Sequence, residues 1–405
     1  MGTATWLLLA LSLASLTAWL WLALLRGMFW HTDVRLTDPS GASGDGRKWP
    51  SVAILVPARN EAQILPETLP TLLDQDYPGD LTIVVVDDDS EDGTADVARS
   101  LGAAAARGDI LTVVAGRPLP TGWGGKLWAL QTALEAVEHS TCEFLLLTDA
   151  DIAHPRDSVS RLVDRAVSTG SDLVSLMARL RTETASDRLL LPAFVFFFAK
   201  LYPFRWSNDT GRATAAAAGG CILLRREALD GAGGLAPISD AVIDDCSLAA
   251  LVKRSGGRLW LGLSEQVLSV RTYGSIGPVW DMVARTAYTQ LRHSPIALAG
   301  TVAGMALLYA TPPLATAAAL ALIAANATGS TAVPLGIAVS AWLLMAATFA
   351  PMLRLYGVNL AMAPALPVAG ALFTLFTVAS AARHFRGGAG SWRGRRLTVP
   401  SRSGS

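Results

Sequence analysis

Several familiar signatures are missing, and each absence closes a route. No Gly-x-Gly-x-x-Gly follows the first strand-like segment, and no Gly-x-x-x-x-Gly-Lys-Ser/Thr occurs anywhere, which argues against a dinucleotide oxidoreductase and a P-loop nucleotidase. A basic, glycine-rich N-terminal loop is also absent, which counts against a nucleotidyltransferase. Cysteine is scarce. Cys142, Cys221 and Cys246 are far apart, fit no zinc or CxxC spacing, and read as reduced, buried small hydrophobes of a cytosol-facing domain. Net charge is missing too. The 33 Lys and Arg balance 33 Asp and Glu, so bulk electrostatics predicts no nucleic-acid partner.

Apolar residues are in excess, at 51% of the chain, and the surplus sits at the two ends. Trp6 to Leu25 is uncharged and long enough to span a bilayer as a helix. No positive charge precedes it and Arg26 follows it, which favours a retained anchor (residues 1–30) over a cleaved signal. Trp19, Trp21 and Trp30 lie near its end, where an aromatic belt is expected. Arg26, Arg35, Arg47 and Lys48 put the following domain in the cytoplasm by the positive-inside rule. Residues 31–49 read as a linker, with Asp38 to Gly46 rich in Gly, Ser and Asp. At the other end, residues 296–382 hold Ile296 to Ala325, broken by Pro312-Pro313, then Val333 to Leu353 and Leu360 to Ala382. The first is one kinked span or two short ones. The tail 383–405 is polar, with Arg383, Arg386, Arg393, Arg395, Arg396 and Arg402 and no acid, and reads as disordered and cytoplasmic. A cytoplasmic tail and a cytoplasmic domain require an even number of crossings between them, whereas simple hydropathy counts three.

Between these ends, residues 50–295 alternate short β-branched runs with helical ones. Strands are predicted at Ser51 to Val56, Leu81 to Val86, Ile110 to Val114 and Phe144 to Thr148. Helices are predicted at Pro66 to Gln75, up to Leu101, and at Lys126 to Val137. This is an α/β pattern, with a parallel sheet covered on both faces. Acids cluster just beyond the strand ends, where an open α/β sheet forms its ligand crevice. Glu61, Asp87 and Asp88 can accept from a nucleobase N–H and from ribose hydroxyls. Asp149 and Asp151, at i and i+2 in an extended segment, point the same way and suit a hard cation, Mg²⁺ or Mn²⁺, with diphosphate oxygens and water completing the shell. The competing readings are a surface turn for Asp149-Ala150-Asp151 and a capped helix start for Asp87 to Asp92.

Pro57-Ala-Arg59-Asn-Glu61, Val86-Asp-Asp-Asp-Ser-Glu-Asp-Gly-Thr94 and Asp149-Ala-Asp151 resemble, in order and spacing, the motifs of family 2 glycosyltransferases with the GT-A fold. The resemblance covers roughly Trp49 to Arg292. More narrowly, Gly116-Arg-Pro-Leu-Pro-Thr-Gly-Trp-Gly-Gly-Lys126 and the aromatic run Leu191 to Phe204 are similar to hopene-associated glycosyltransferases of the HpnB type and to carotenoid-pathway membrane glycosyltransferases. The resemblance implies a Rossmann-like nucleotide-sugar-binding domain carried by N- and C-terminal transmembrane helices in the cell membrane. It further implies inverting transfer from a nucleotide sugar, usually UDP-linked, to a membrane lipid such as a hopanoid or other isoprenoid. In the family, the second acid of a later pair deprotonates the acceptor; here Asp244-Asp245 matches, so Asp245 is the expected base, with Asp240 in reserve. Both acids would equally complement the dipole of the helix they open. Gly219 and Gly220 would line the sugar site or form a bulge. Lys126 and either Arg285 or Arg292 are candidate diphosphate contacts. The aromatic run and Ile276 to Arg292 suit segments lying in the membrane interface, the former beside the lipid's entry to Asp245; the competing reading of the aromatic run is a buried helix. The family's Gln/Arg-x-x-Arg-Trp is degenerate, which lowers the rival of a processive polysaccharide synthase. A second rival, a non-catalytic membrane partner keeping a glycosyltransferase-like domain, leaves the intact acids unexplained.

Overall fold

Among the described residues, runs of Val, Ile and Leu too short for helices become the eight strands of the main sheet: β1 (Val52–Ala58), β2 (Leu81–Asp87), β3 (Leu111–Ala115), β4 (Phe144–Thr148), β5 (Ile152–Ala153), β6 (Leu173–Leu180), β7 (Cys221–Arg225) and β8 (Leu259–Ser269). The computed structural model describes residues 2–36, 48–138, 142–325, 331–386, 391–392 and 395–396. The Asp38 to Gly46 linker and most of the tail after residue 386 lie outside the described residues.

The strands form one sheet in the order β3-β2-β1-β4-β7-β6-β8-β5. The first four are parallel, as expected. β7, however, is antiparallel to both β4 and β6, so the sheet is mixed. The chain between β6 and β7 supplies no crossover helix to this sheet; its helix Ala185–Leu201 falls in a different compact unit. Alternate residues of β1 feed the two faces. Ile54 and Val56 join Leu69, Ile83 and Leu146 on one side, and Leu55 joins Val84, Leu130 and Leu145 on the other. One edge of the sheet collects the polar loops. β1, β2 and β4 end there, and the reversed β7 begins there, with Thr148 opposite Cys221. β8 ends there too, pairing Ser269 with Ile152 of β5.

The chain divides into two units. The sheet unit comprises the described residues within 33–181, 206–272 and 389–405, and the helical unit those within 1–32, 182–205 and 273–388. Among the described residues of the latter, four helices are long and apolar enough to cross a membrane: Thr3–Leu25, Pro295–Ala324, Ala332–Leu355 and Leu360–Phe385. The stretch containing Pro312-Pro313 is therefore one helix of 30 residues, about 45 Å long, rather than two short ones. It absorbs the prolines with a π turn at Ala306–Ala310. Pro312 offers no N–H to the Leu308 carbonyl, and Trp19 Nε1 donates to that carbonyl at 2.8 Å instead. Trp19, expected in an interfacial belt, is thus fully buried, its ring edge-on to Tyr309 at 5.5 Å. Three C-terminal candidates, if each crosses once, leave one of the two basic flanks at odds with the positive-inside rule.

The aromatic run also differs from expectation. Its helix, Ala185–Leu201, opens with a Thr184–Asp187 capping box and is interior to the helical unit. Phe196 packs on Phe349 and Phe197 on Phe373, with ring centroids 5.3 and 5.0 Å apart. Successive phenylalanines are turned about 100° apart, so they surround the helix and leave no single apolar stripe to lay on an interface.

Candidate active site

The loops after β1 and β2 are laced together. Asn60 and Asp89 both adopt positive φ, 53° and 60°. Asn60 N–H donates to Ser90 Oγ at 2.9 Å, Glu91 N–H donates to Asn60 Oδ1 at 2.9 Å, and Glu61 N–H donates to Thr94 Oγ1 at 2.9 Å. Asp92 accepts from the backbone and hydroxyl of Thr94, and Asp87 Oδ1 accepts from Ser90 N–H. Part of the acidic run is therefore turn and helix-start structure. Asp88 is fully buried beside Gly116, where a Cβ would come within 3.0 Å of its Oδ1. Of the Asp87–Asp88 pair, only Asp87 reaches the surface. Arg59 lies across this turn, donating to the Asp88 carbonyl and 3.7 Å from the Asp89 carboxylate.

The Asp149-Ala150-Asp151 segment is a tight turn, not an extended stretch. Ile152 N–H closes it onto Asp149 O at 3.2 Å, because the chain must move from pairing with β7 to pairing with β8. Each carboxylate carries a cationic side chain. Lys126 Nζ is 2.6 Å from Asp149 Oδ1, and Arg271 Nε is 2.9 Å from Asp151 Oδ2. Lys126 also reaches Asp244 Oδ2 at 3.3 Å. Burial opposes its charge, but Asp149 and Asp244 outweigh that and push its pKa up. Burial raises the Asp149 pKa, with Lys126 pulling against it and Asp151 adding to it.

Asp244 and Asp245 open the helix Asp244–Arg254, so the dipole reading holds alongside the chemical one. Asp245 Oδ2 accepts from Gly219 N–H at 2.9 Å and Oδ1 from Cys246 N–H at 2.7 Å. Burial, then Asp244, pushes its pKa up to about 6, against the pull of Lys126. Gly219 leaves room here: a Cβ would lie 3.2 Å from Lys126 Nζ and 3.4 Å from Asp245 Oδ2. Gly220 instead packs on Ile152, 3.0 Å from a would-be Cβ. Pro57, Lys126, Thr148, Asp149, Gly219, Asp244 and Asp245 line one cleft, floored by Leu127, Leu147 and Ile222. Asp240 is exposed and stands outside that lining. Arg285 and Arg292 belong to the helical unit; the cluster is assembled from the sheet unit alone.

The donor set fits a hard divalent cation. Asp149 and Asp151 supply carboxylate oxygens from side chains 34% and 17% exposed, and each already attracts a cationic group. No set of three or more His, Cys, Asp or Glu among the described residues converges on one point, so the shell would be completed by diphosphate oxygens and water, the habit of Mg²⁺ and Mn²⁺.

Two residues escaped the sequence reading. One is Arg271, whose guanidinium also bonds both oxygens of Glu61, at 2.9 and 3.0 Å. The other is His154, buried behind the Asp149 turn. Thr148 Oγ1 donates to Gly220 O at 2.9 Å and so accepts from His154 Nε2, also at 2.9 Å, which leaves Nδ1 to accept from Ser158 Oγ at 3.1 Å. This neutral ring fixes the end of β4. Burial holds its pKa down to about 4, against 6.5 for an exposed ring. The unfolded chain takes a proton first as pH falls, so stability is lost between those values, by up to about 3 kcal/mol. The detergent-solubilised His154→Gln variant is expected to show a flatter dependence of Tm on pH in that window than wild type.

A mixed sheet with this acidic edge, in a chain with apolar helices at both ends, is the arrangement of the GT-A fold. The chain belongs to glycosyl transferase family 21, which matches residues 5–403. The solved mannosyltransferase PcManGT from Pyrobaculum calidifontis, in complex with GDP-Man and Mn²⁺, shares the fold. Its TM-score is 0.53 at 24% identity, over 93% of this chain and 99% of that one. An N-acetylglucosaminyltransferase of Mesorhizobium japonicum is 30% identical over 213 residues, 50% of this chain and 46% of its own. A 4,4'-diaponeurosporenoate glycosyltransferase of Staphylococcus aureus is 33% identical over 116 residues, 28% of each chain. The chain thus spans less than half the length of these curated relatives.

Proposed function

We propose that the protein is a multi-pass cell-membrane enzyme whose cytoplasmic GT-A domain transfers a sugar, with inversion, from a nucleotide diphosphate sugar to a lipid hydroxyl. The donor is UDP-linked and the acceptor an isoprenoid, a hopanoid in the narrowest form of the reading. The observation that carries it is the meeting of Asp149, Asp244 and Asp245 around Lys126 at one sheet edge, with Asp151 in the same turn as Asp149. Family membership and the lipid-like acceptor in the name of the Staphylococcus aureus relative support it.

In this reading Asp149 and Asp151 hold Mg²⁺ or Mn²⁺, which when bound supplies Lewis-acid stabilisation of the departing diphosphate. Pro57, Arg59, Glu61 and Asp87 line the nucleotide side. Asp245, held by two backbone N–H groups, takes the proton of the acceptor hydroxyl. The freed oxygen pair forms the new bond to the anomeric carbon from the face opposite the diphosphate, which leaves with the electrons of the broken C–O bond.

Lipid mass spectrometry of cells with and without the protein tests this. The expected result is loss of one species heavier than its precursor by a hexose or N-acetylhexosamine. Purified protein that binds neither UDP nor GDP with Mn²⁺, and hydrolyses no nucleotide sugar, overturns it in favour of a non-catalytic membrane partner.

A further inference from the structure

Arg271 lies two residues beyond the end of β8, and its guanidinium joins two acids from distant parts of the sheet edge. Nε donates to Asp151 Oδ2 at 2.9 Å, and Nη2 donates to Glu61 Oε1 and Oε2 at 2.9 and 3.0 Å. Asp151 belongs to the cation pair, and Glu61 to the nucleotide side of the crevice. Glu61 is only 7% exposed, and the guanidinium covers its carboxylate. Backbone pairing keeps Arg271 in place. Val270 N–H donates to Asp151 O at 2.9 Å, and Ser269 is in register with Ile152.

We infer that Arg271 is a resident counter-cation that closes both carboxylates and couples nucleoside binding at Glu61 to cation binding at Asp151. The inference rests on the cation reading of Asp149 and Asp151 given above. The coupling follows from the shape of the side chain. Nε and Nη2 are fixed in one plane, so withdrawing from one carboxylate breaks the fork on the other. A divalent ion beside Asp151 repels the guanidinium, and a ribose hydroxyl or base N–H at Glu61 displaces it. Either ligand therefore removes the same obstacle to the other, and the effect must be reciprocal. Lys126 neutralises Asp149 and Asp244 but makes no contact with Glu61, so it cannot carry this link.

The test uses the full chain in detergent and free Mn²⁺ followed by electron paramagnetic resonance, with and without saturating uridine or guanosine. A nucleoside has no phosphate with which to bridge to the ion, so any change in Mn²⁺ affinity passes through the protein. Wild type is expected to bind Mn²⁺ about tenfold more tightly with one of the two nucleosides. Arg271→Gln is expected to bind Mn²⁺ alone about that much more tightly and to show no further gain from the nucleoside. Arg271→Lys, which keeps a charge beside buried Glu61 but has no fork, is expected to retain a reduced gain. It decides the matter if Arg271→Gln does not fold. No nucleoside effect in wild type, or an undiminished effect in the folded variants, overturns the inference alone. No Mn²⁺ binding even with UDP or GDP overturns the cation reading beneath it.

Discussion

Asp245→Asn is expected to lower the rate of sugar transfer by about 10²–10⁴-fold while leaving Mn²⁺-dependent nucleotide binding unchanged. The carboxylate is half-buried, and its two oxygens are aimed by Gly219 and Cys246 N–H groups. Asn keeps the shape but cannot take the acceptor proton. Asp151→Ala divides the roles: it too should abolish transfer, but by removing cation-dependent nucleotide binding. Isothermal titration of UDP with Mn²⁺ separates the two, and equal binding by both variants would refute the division. The pH profile gives an independent check. A base works in its ionised form, and burial pushes the Asp245 pKa up to about 6. The rate of the wild-type enzyme should therefore climb with pH through that value and level off above it. Each unit below it should cost about tenfold, the slope of a single ionisation.

Much of this was legible in the chain, because local signals made it so. β4 lies where its apolar run places it, and β1 and β2 lie within two residues of expectation, since buried strands announce themselves by composition. The motif acids fall at strand ends for the same reason. What could not be read depended on partners far away. The reversal of β7 has no signature of its own, since the apolar run Cys221 to Leu224 reads alike in either direction. Burial of Asp88 depends on the backbone at Gly116, and Arg271 meets Glu61 across 210 residues. The aromatic helix misled because its composition, not its angular spacing, suggested an interface. Trp19 was placed by a carbonyl that Pro312 leaves unpaired nearly three hundred residues later.

Lys126 is where sequence and structure assign different work to one residue. By position, at the start of the helix Gly125–Ala136 and beside a predicted crevice, it is a candidate diphosphate contact. In the structure its ammonium is 2.6 Å from Asp149 and 3.3 Å from Asp244, a brace between the Asp149 turn and the helix Asp244–Arg254. Lys126→Met preserves the stem and removes the charge, leaving Asp149, Asp244 and Asp245 to repel one another. Breaking a buried ion pair costs more than an exposed one, and with these partly exposed partners about 2 kcal/mol of stability should go, read as a lower Tm. The two roles part in the kinetics. Lys126 holds the Asp245 pKa down, so its loss should carry the rising limb of the pH profile to higher pH, and the loosened geometry should lower kcat by about 10²-fold even on the plateau. A diphosphate contact predicts something else: a raised KM for the donor and a limb that stays where it was.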